Sequence, residues 1–255
     1  MELLKARQSF DILCLQETWM RGTGEALWNM PGYHIFEHRR PESKRGGIAM
    51  FVSKALKVIS ETGNEYAQQV KLQLLDGKTA VINNVYLPPQ KSLRRRDIPE
   101  AKARQDVMDI VSAAPLASHV ITVGDFNTRT GTLAPRVGET QLQRASEDSV
   151  VCPRAGWLVE LCELTEVHIL NGATFRRAAP FTCFTHRGKS AVDYVLCNHP
   201  GRVVHYDDIT LAGYSDHAML WVRLPIDIPP PPPREHAQPP AATSYRWDVG
   251  PAIQD

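Results

Sequence analysis

The sequence predicts an α/β sandwich in which two sheets face each other and helices cover them. Three observations carry this expectation. Short apolar runs at 12–15, 48–52, 70–74, 80–86, 120–123, 191–196 and 218–222 recur between turn signals and read as strands. Helical patterns are fewer and fall between groups of those runs. No internal repeat interrupts the series, and 255 residues suit one large domain followed by a tail.

Taken in order, a helical pattern over 3–9 precedes the strand at 12–15, which runs out into Gln16-Glu17. Gly46-Gly47 supplies turn chemistry ahead of 48–52, and Asp76-Gly77 marks an antiparallel hairpin of 70–75 with 78–86. Sequential hairpins predict a largely antiparallel sheet. Over 99–113, Ala103, Val107, Ile110 and Val111 recur at the spacing of one buried helix face, and over 156–164 Trp157, Leu158, Leu161 and Leu164 do the same. The folded body is expected over 1–224. Eight of the 19 prolines fall in the last 27 residues, five of them consecutive from Pro229 to Pro233. That composition favours extended polyproline II, so 225–255 is expected to be a disordered tail that recruits an aromatic-lined partner.

A hydrophobic share of 43% argues against global disorder. With 29 Lys and Arg against 28 Asp and Glu, the net charge of +1 gives no whole-chain case for binding nucleic acid or an anionic membrane. The five cysteines form no C-x-x-C pair and several sit in apolar runs, so they read as reduced core residues of an intracellular protein. The N-terminus turns polar at once, and no stretch approaches ~18 apolar residues, so neither secretion nor a membrane span is expected.

Chemistry-bearing residues sit at strand ends. Glu17 leaves an apolar strand directly into a loop, where a plain surface acid is the competing reading. Asp125 and Asn127, in Gly124-Asp125-Phe126-Asn127, fall on the same side if extended and bring an acceptor and an amide donor to one point, although both types also form turns. Asp193 interrupts an apolar strand, and an ionised carboxylate there needs partners to offset its desolvation. Ser215-Asp216-His217 opens the last run, so an Asp–His pair with a second Asp beside it suits proton handling. Tyr86, ending 80–86, reads from its position alone as a rim aromatic.

Together, Leu15-Gln16-Glu17-Thr18, Gly47-Ile48-Ala49-Met50, Asn84-Val85-Tyr86, Gly124-Asp125-Phe126-Asn127, Asp193-Tyr194-Val195-Leu196 and Ser215-Asp216-His217 resemble the endonuclease/exonuclease/phosphatase superfamily across 11–222. Within it, Arg45-Gly46-Gly47-Ile48-Ala49, Phe181-Thr182-Cys183-Phe184-Thr185 and Arg246-Trp247-Asp248 are most similar to the apurinic-endonuclease-like domain of non-LTR, LINE-type retrotransposons. The resemblance implies a four-layer α/β/β/α sandwich of the DNase I-like type, and hydrolysis of a DNA phosphodiester with Mg2+ or Mn2+. It implies Glu17 and Asp216 as metal carboxylates and Asp125 as the group that positions or deprotonates water. Asn127 and Tyr86 would contact the phosphate, and Asp193 would orient His217 toward the developing charge; either Asp125 or the Asp–His pair is open as the base.

The family opens on a strand ending in an Asn that helps hold metal and phosphate. Residues 1–10 leave no room for it, and Asn29, coming after Glu17, stands out of order. The expectation is therefore a sandwich lacking its first strand, a truncated or domesticated element-derived enzyme with weakened catalysis. The alternative is a domain that only binds nucleic acid or protein. Charge is uneven: 91–104 holds six basic and two acidic residues, net +4, and 39–45 four and one, net +3. A solvated face is the bland reading. The other places Arg94, Arg95 and Arg96, with Ser190, on nucleic acid. A monomer, located in the nucleus ahead of the cytoplasm, completes the expectation.

Overall fold

The computed structural model describes residues 10–19, 30–39, 46–75, 77–114, 119–173, 178–200, 209–210 and 215–223. Its strands are β1 (Ile12–Gln16), β2 (Tyr33–His38), β3 (Ile48–Ser53), β4 (Lys57–Gly63), β5 (Ala67–Gln73), β6 (Thr79–Tyr86), β7 (His119–Asp125), β8 (Arg136–Val137), β9 (Thr140–Gln141), β10 (His168–Ile169), β11 (Cys183–Thr185), β12 (Gly188–Ser190), β13 (Asp193–Cys197), β14 (Ile209–Thr210) and β15 (Ala218–Met219). The helices are α1 (Gln90–Arg95), α2 (Glu100–Val111) and α3 (Ala155–Leu164).

β1, β3 and β2 make an antiparallel three-stranded sheet in that order, and a six-stranded sheet runs β10-β13-β7-β6-β5-β4. The expected hairpin is the antiparallel pair β5–β6. Among the described strand pairs the antiparallel expectation gives way only at β6 and β7, which pair parallel. Between them the chain crosses back through α1 and α2, the kind of connection a parallel pair requires. Short two-stranded ladders, β8–β9, β11–β12 and β14–β15, complete the described topology.

Alternation along each central strand sorts its side chains into two apolar layers. Ile82, Ile121 and Val195 meet Met50 and Val52 of the smaller sheet. Val81, Val85, Val120 and Leu196 pack instead with Leu93 of α1, Ala103, Val107 and Val111 of α2, and Trp157, Leu158 and Leu161 of α3. The facing sheets and the helical cover of the larger one are as expected; among the described residues no helix lies on the smaller sheet. Leu164 is the exception: it ends α3 and is 64% exposed, so spacing alone misassigned it to the buried stripe. The pattern over 3–9, residues 40–45 and the tail 225–255 lie outside the described residues.

Candidate active site

Three candidate residues stand in a row across the larger sheet. Tyr86, the last residue of β6, is in register with Asp125 at the end of β7, and Asp125 with Asp193 at the start of β13. Each has the same parity along its strand as the residues of the intersheet layer, Ile82, Ile121 and Val195, so the row caps that layer at one end. The smaller sheet delivers Glu17 to the same end. The Tyr86 hydroxyl donates to Glu17 Oε1, and the Trp19 indole Nε1 donates to Oε2 at 2.8 Å.

Asn84 fastens the two sheets together here. It is fully buried in β6, its Nδ2 donates to the carbonyls of Leu15 and Ala49 at 3.1 Å each, and its Oδ1 accepts from Gln16 Nε2 at 2.5 Å. One side-chain amide thereby holds β1 and β3 against β6, two residues before Tyr86. The sequence reading gave Asn84 no role of its own. An amide within a strand buried along nearly its whole length was the available signal, since buried polar groups are almost always paired.

After β7 the chain turns at once. Gly124 has φ 144°, and a Cβ there would lie 1.9 Å from the Val85 carbonyl oxygen, so only glycine lets β6 and β7 approach this closely beside Asp125. Asn127 then adopts φ 46°, so of the two alternatives for this segment the turn is the one formed. Its backbone N–H donates to Asp125 Oδ1 at 2.8 Å and its Nδ2 to Oδ2 at 2.7 Å. Among the described non-glycine residues, five have positive φ, and Glu17, Trp19 and Asn127 are three of them. Such backbone costs on the order of 1–3 kcal/mol each and concentrates at functional sites.

Arg154 braces the loops from behind, a role no sequence pattern had suggested. It is 1% exposed, its Nη1 donates to the carbonyls of Pro88, Phe126 and Asn127 at 3.0, 3.3 and 3.3 Å, and its Nε meets Glu100 at 2.9 Å. His217 arrives from a separate segment through an antiparallel bridge to Cys183. Its Nδ1 faces Asp193 Oδ1 and Oδ2 at 3.0 and 2.9 Å, and the Thr182 hydroxyl donates to Asp193 Oδ2 at 2.6 Å.

The described contacts therefore gather Glu17, Tyr86, Asp125, Asn127, Asp193 and His217. Asp216 is exposed at their edge, next to Cys183 and His217. Ser190 lies on β12 opposite Cys183, where its carbonyl accepts from the Thr182 N–H at 2.9 Å. Arg94 and Arg95 are exposed in the last turn of α1, and Arg96 pairs with Glu65 at 3.6 Å. These four residues take no part in that cluster of contacts.

Electrostatics divides the cluster. Burial, and then the charge of Asp193, push the Asp125 carboxyl well above the usual carboxylate range; Glu17 adds to this, while His217 and the Asn127 N–H work against it. Burial alone would lower the His217 imidazole. Hydrogen bonds to Asp193 and Cys183, with the charges of Asp193 and Asp125, reverse that and raise it to about 11. Asp125, Asp193 and His217 each offer a ligand atom within 4.8 Å of the others. Buried Asp125 and Asp193 put two carboxyls side by side, and exposed Glu17 adds a third at their edge; such a concentration of oxygen donors is an environment that a hard divalent cation fits.

The sequence profile of the Endonuclease/Exonuclease/phosphatase family matches residues 1–217. The chain belongs to that family. Members of the family are hydrolytic nucleases or phosphatases, and its nucleases generally use divalent metals. Solved structures share the fold at low identity. The catalytic domain of Xenopus laevis APE2 is 17% identical with a TM-score of 0.61, over 89% of this chain and 87% of that one. A Neisseria 3′ phosphatase, NExo, bound to a product DNA hairpin is 15% identical with a TM-score of 0.59, over 85% and 90%. An AP endonuclease from Archaeoglobus fulgidus is 15% identical with a TM-score of 0.53, over 82% and 86%. No curated protein matches the chain.

Proposed function

We propose that this member of the family is a divalent-metal-dependent endonuclease that nicks DNA and descends from a retrotransposon. The observation that carries the reading is the row of Tyr86, Asp125 and Asp193, with Glu17 joined to one end and His217 to the other. Glu17 and Asp216 would hold Mg2+ or Mn2+, which when bound polarises the phosphate and stabilises the leaving oxyanion.

The protein's own groups divide the remaining work. Asp125, with its carboxyl pushed up, is a stronger base than an ordinary carboxylate and takes the proton of the attacking water. His217, held as an imidazolium by Asp193, offers positive charge where negative charge develops on the phosphate oxygens. A group already carrying its proton is no base, which favours Asp125 in that role. Tyr86 and Asn127 use their donors on Glu17 and Asp125, so they orient those carboxylates before any phosphate arrives.

DNA is favoured as substrate by the retrotransposon-like motifs and by the DNA hairpin on the Neisseria relative, and the basic stretch at 91–104 suits a phosphate backbone. Supercoiled plasmid tests the reading. Nicking to open circle is expected with Mg2+, lost with a chelator and lost in Glu17→Ala. Full nicking by Glu17→Ala, or none by the wild type with either Mg2+ or Mn2+, overturns it.

A further inference from the structure

We propose that Cys183, Asp216 and His217 form a second cation site, selective for a thiophilic divalent ion of the zinc class. The Cys183 Sγ, a carboxylate oxygen of Asp216 and a ring nitrogen of His217 lie within 4.8 Å of one another. Thiolate, imidazole and carboxylate together match zinc, whereas magnesium takes oxygen ligands and avoids sulfur.

Backbone pairing holds these ligands together. Cys183 and His217 are partners in an antiparallel bridge, the Phe184 N–H donates to the Asp216 carbonyl at 2.7 Å, and the Ala218 N–H donates to the Thr182 carbonyl at 2.7 Å. Two segments distant in sequence thus present a thiol, an imidazole and a carboxylate to one point. The second shell is also built. A ligating histidine normally gives its other ring nitrogen to a carboxylate, and Asp193 already faces His217 Nδ1 at 2.9 and 3.0 Å, so the ion would take Nε2 and replace the hydrogen bond between His217 and Cys183. Thr182 in turn fixes Asp193 at 2.6 Å.

Cys183 closes the inner side of the site at 8% exposure, and Asp216 opens it to solvent. Three protein ligands leave a fourth position for water. On coordination the Cys183 thiol and the His217 ring each release a proton to solvent. The ion would then occupy His217 and Asp216 together, so zinc inhibits the proposed hydrolysis. That consequence rests on the proposed function; the site itself does not.

Co2+ titrated into the full chain without magnesium reads the site directly. A thiolate-to-cobalt charge-transfer band is expected that Zn2+ displaces, with at least a tenfold loss of apparent affinity in Cys183→Ser and none in Cys152→Ser. In the wild-type chain, Zn2+ should slow alkylation of Cys183 by iodoacetamide at least tenfold, a readout that needs no variant to fold. With saturating Mg2+, plasmid nicking by Cys183→Ser should need at least tenfold more Zn2+ for half inhibition than the wild type. No band, a band retained in Cys183→Ser, or unprotected Cys183 overturns the site. A band with protection in a chain that nicks no DNA leaves the site standing and removes the nuclease reading instead.

Discussion

His217 keeps its proton because Asp193 contacts its Nδ1 through both oxygens, and the resulting linkage has a definite sign. The folded-state pKa of about 11 lies above the ordinary value of 6.5, so the pair stabilises the fold in full below pH 6.5. That contribution shrinks as pH rises and is gone above about 11. Melting His217→Asn and the wild type in parallel should therefore show a stability gap at neutral pH that closes toward alkaline pH; a gap constant from pH 6 to 11 would contradict the imidazolium assignment. Asp125 shows what sequence can deliver at this scale. Its identity and its place after a strand were legible, but its raised pKa comes first from burial and then from Asp193 and Glu17, which are distant in sequence and meet it only in the fold. The turn at Asn127 stood beside an extended alternative for a related reason: a left-handed Asn is signalled only weakly by residue type.

Among the elements, the join between the sheets is where the site is most exposed to damage, and Asn84 is the test. Removing its amide leaves the carbonyls of Leu15 and Ala49 and the amide of Gln16 without that partner, at about 1–3 kcal/mol for an unsatisfied buried group. Asn84→Ala should lower the chemical-denaturation midpoint accordingly and raise the Mg2+ concentration needed for half-maximal nicking by loosening Glu17; unchanged stability would show that the sheets need no such fastening. Most elements were readable from apolar periodicity, and β6, α2 and α3 fall close to their expected positions. β2 was not, because its Tyr-His-Ile-Phe-Glu-His sequence carries polar residues on both parities. Nor was β4, whose side chains are half-buried or exposed at the edge of the larger sheet. The parallel β6–β7 pair was hidden too, since strand direction depends on a crossover rather than on any local pattern.

For the whole molecule, the net charge of +1 conceals how charge is distributed. Exposed Arg94 and Arg95 lie in a stretch of net +4, and if this surface meets DNA, affinity should fall steeply with salt. Arg94→Glu with Arg95→Glu should weaken binding across sequences and flatten the salt slope by about one unit per lost phosphate contact, as measured by fluorescence anisotropy. An unchanged slope would move the DNA to another face. In the proposed reaction the row at the end of the intersheet layer supplies Asp125 as base and His217 as cation. Single-turnover nicking of supercoiled plasmid at saturating Mg2+, compared for the wild type, Asp125→Asn and His217→Asn, tests it most directly. A loss of roughly 10²–10⁴-fold is expected in each variant; wild-type rates in both would rule out these roles.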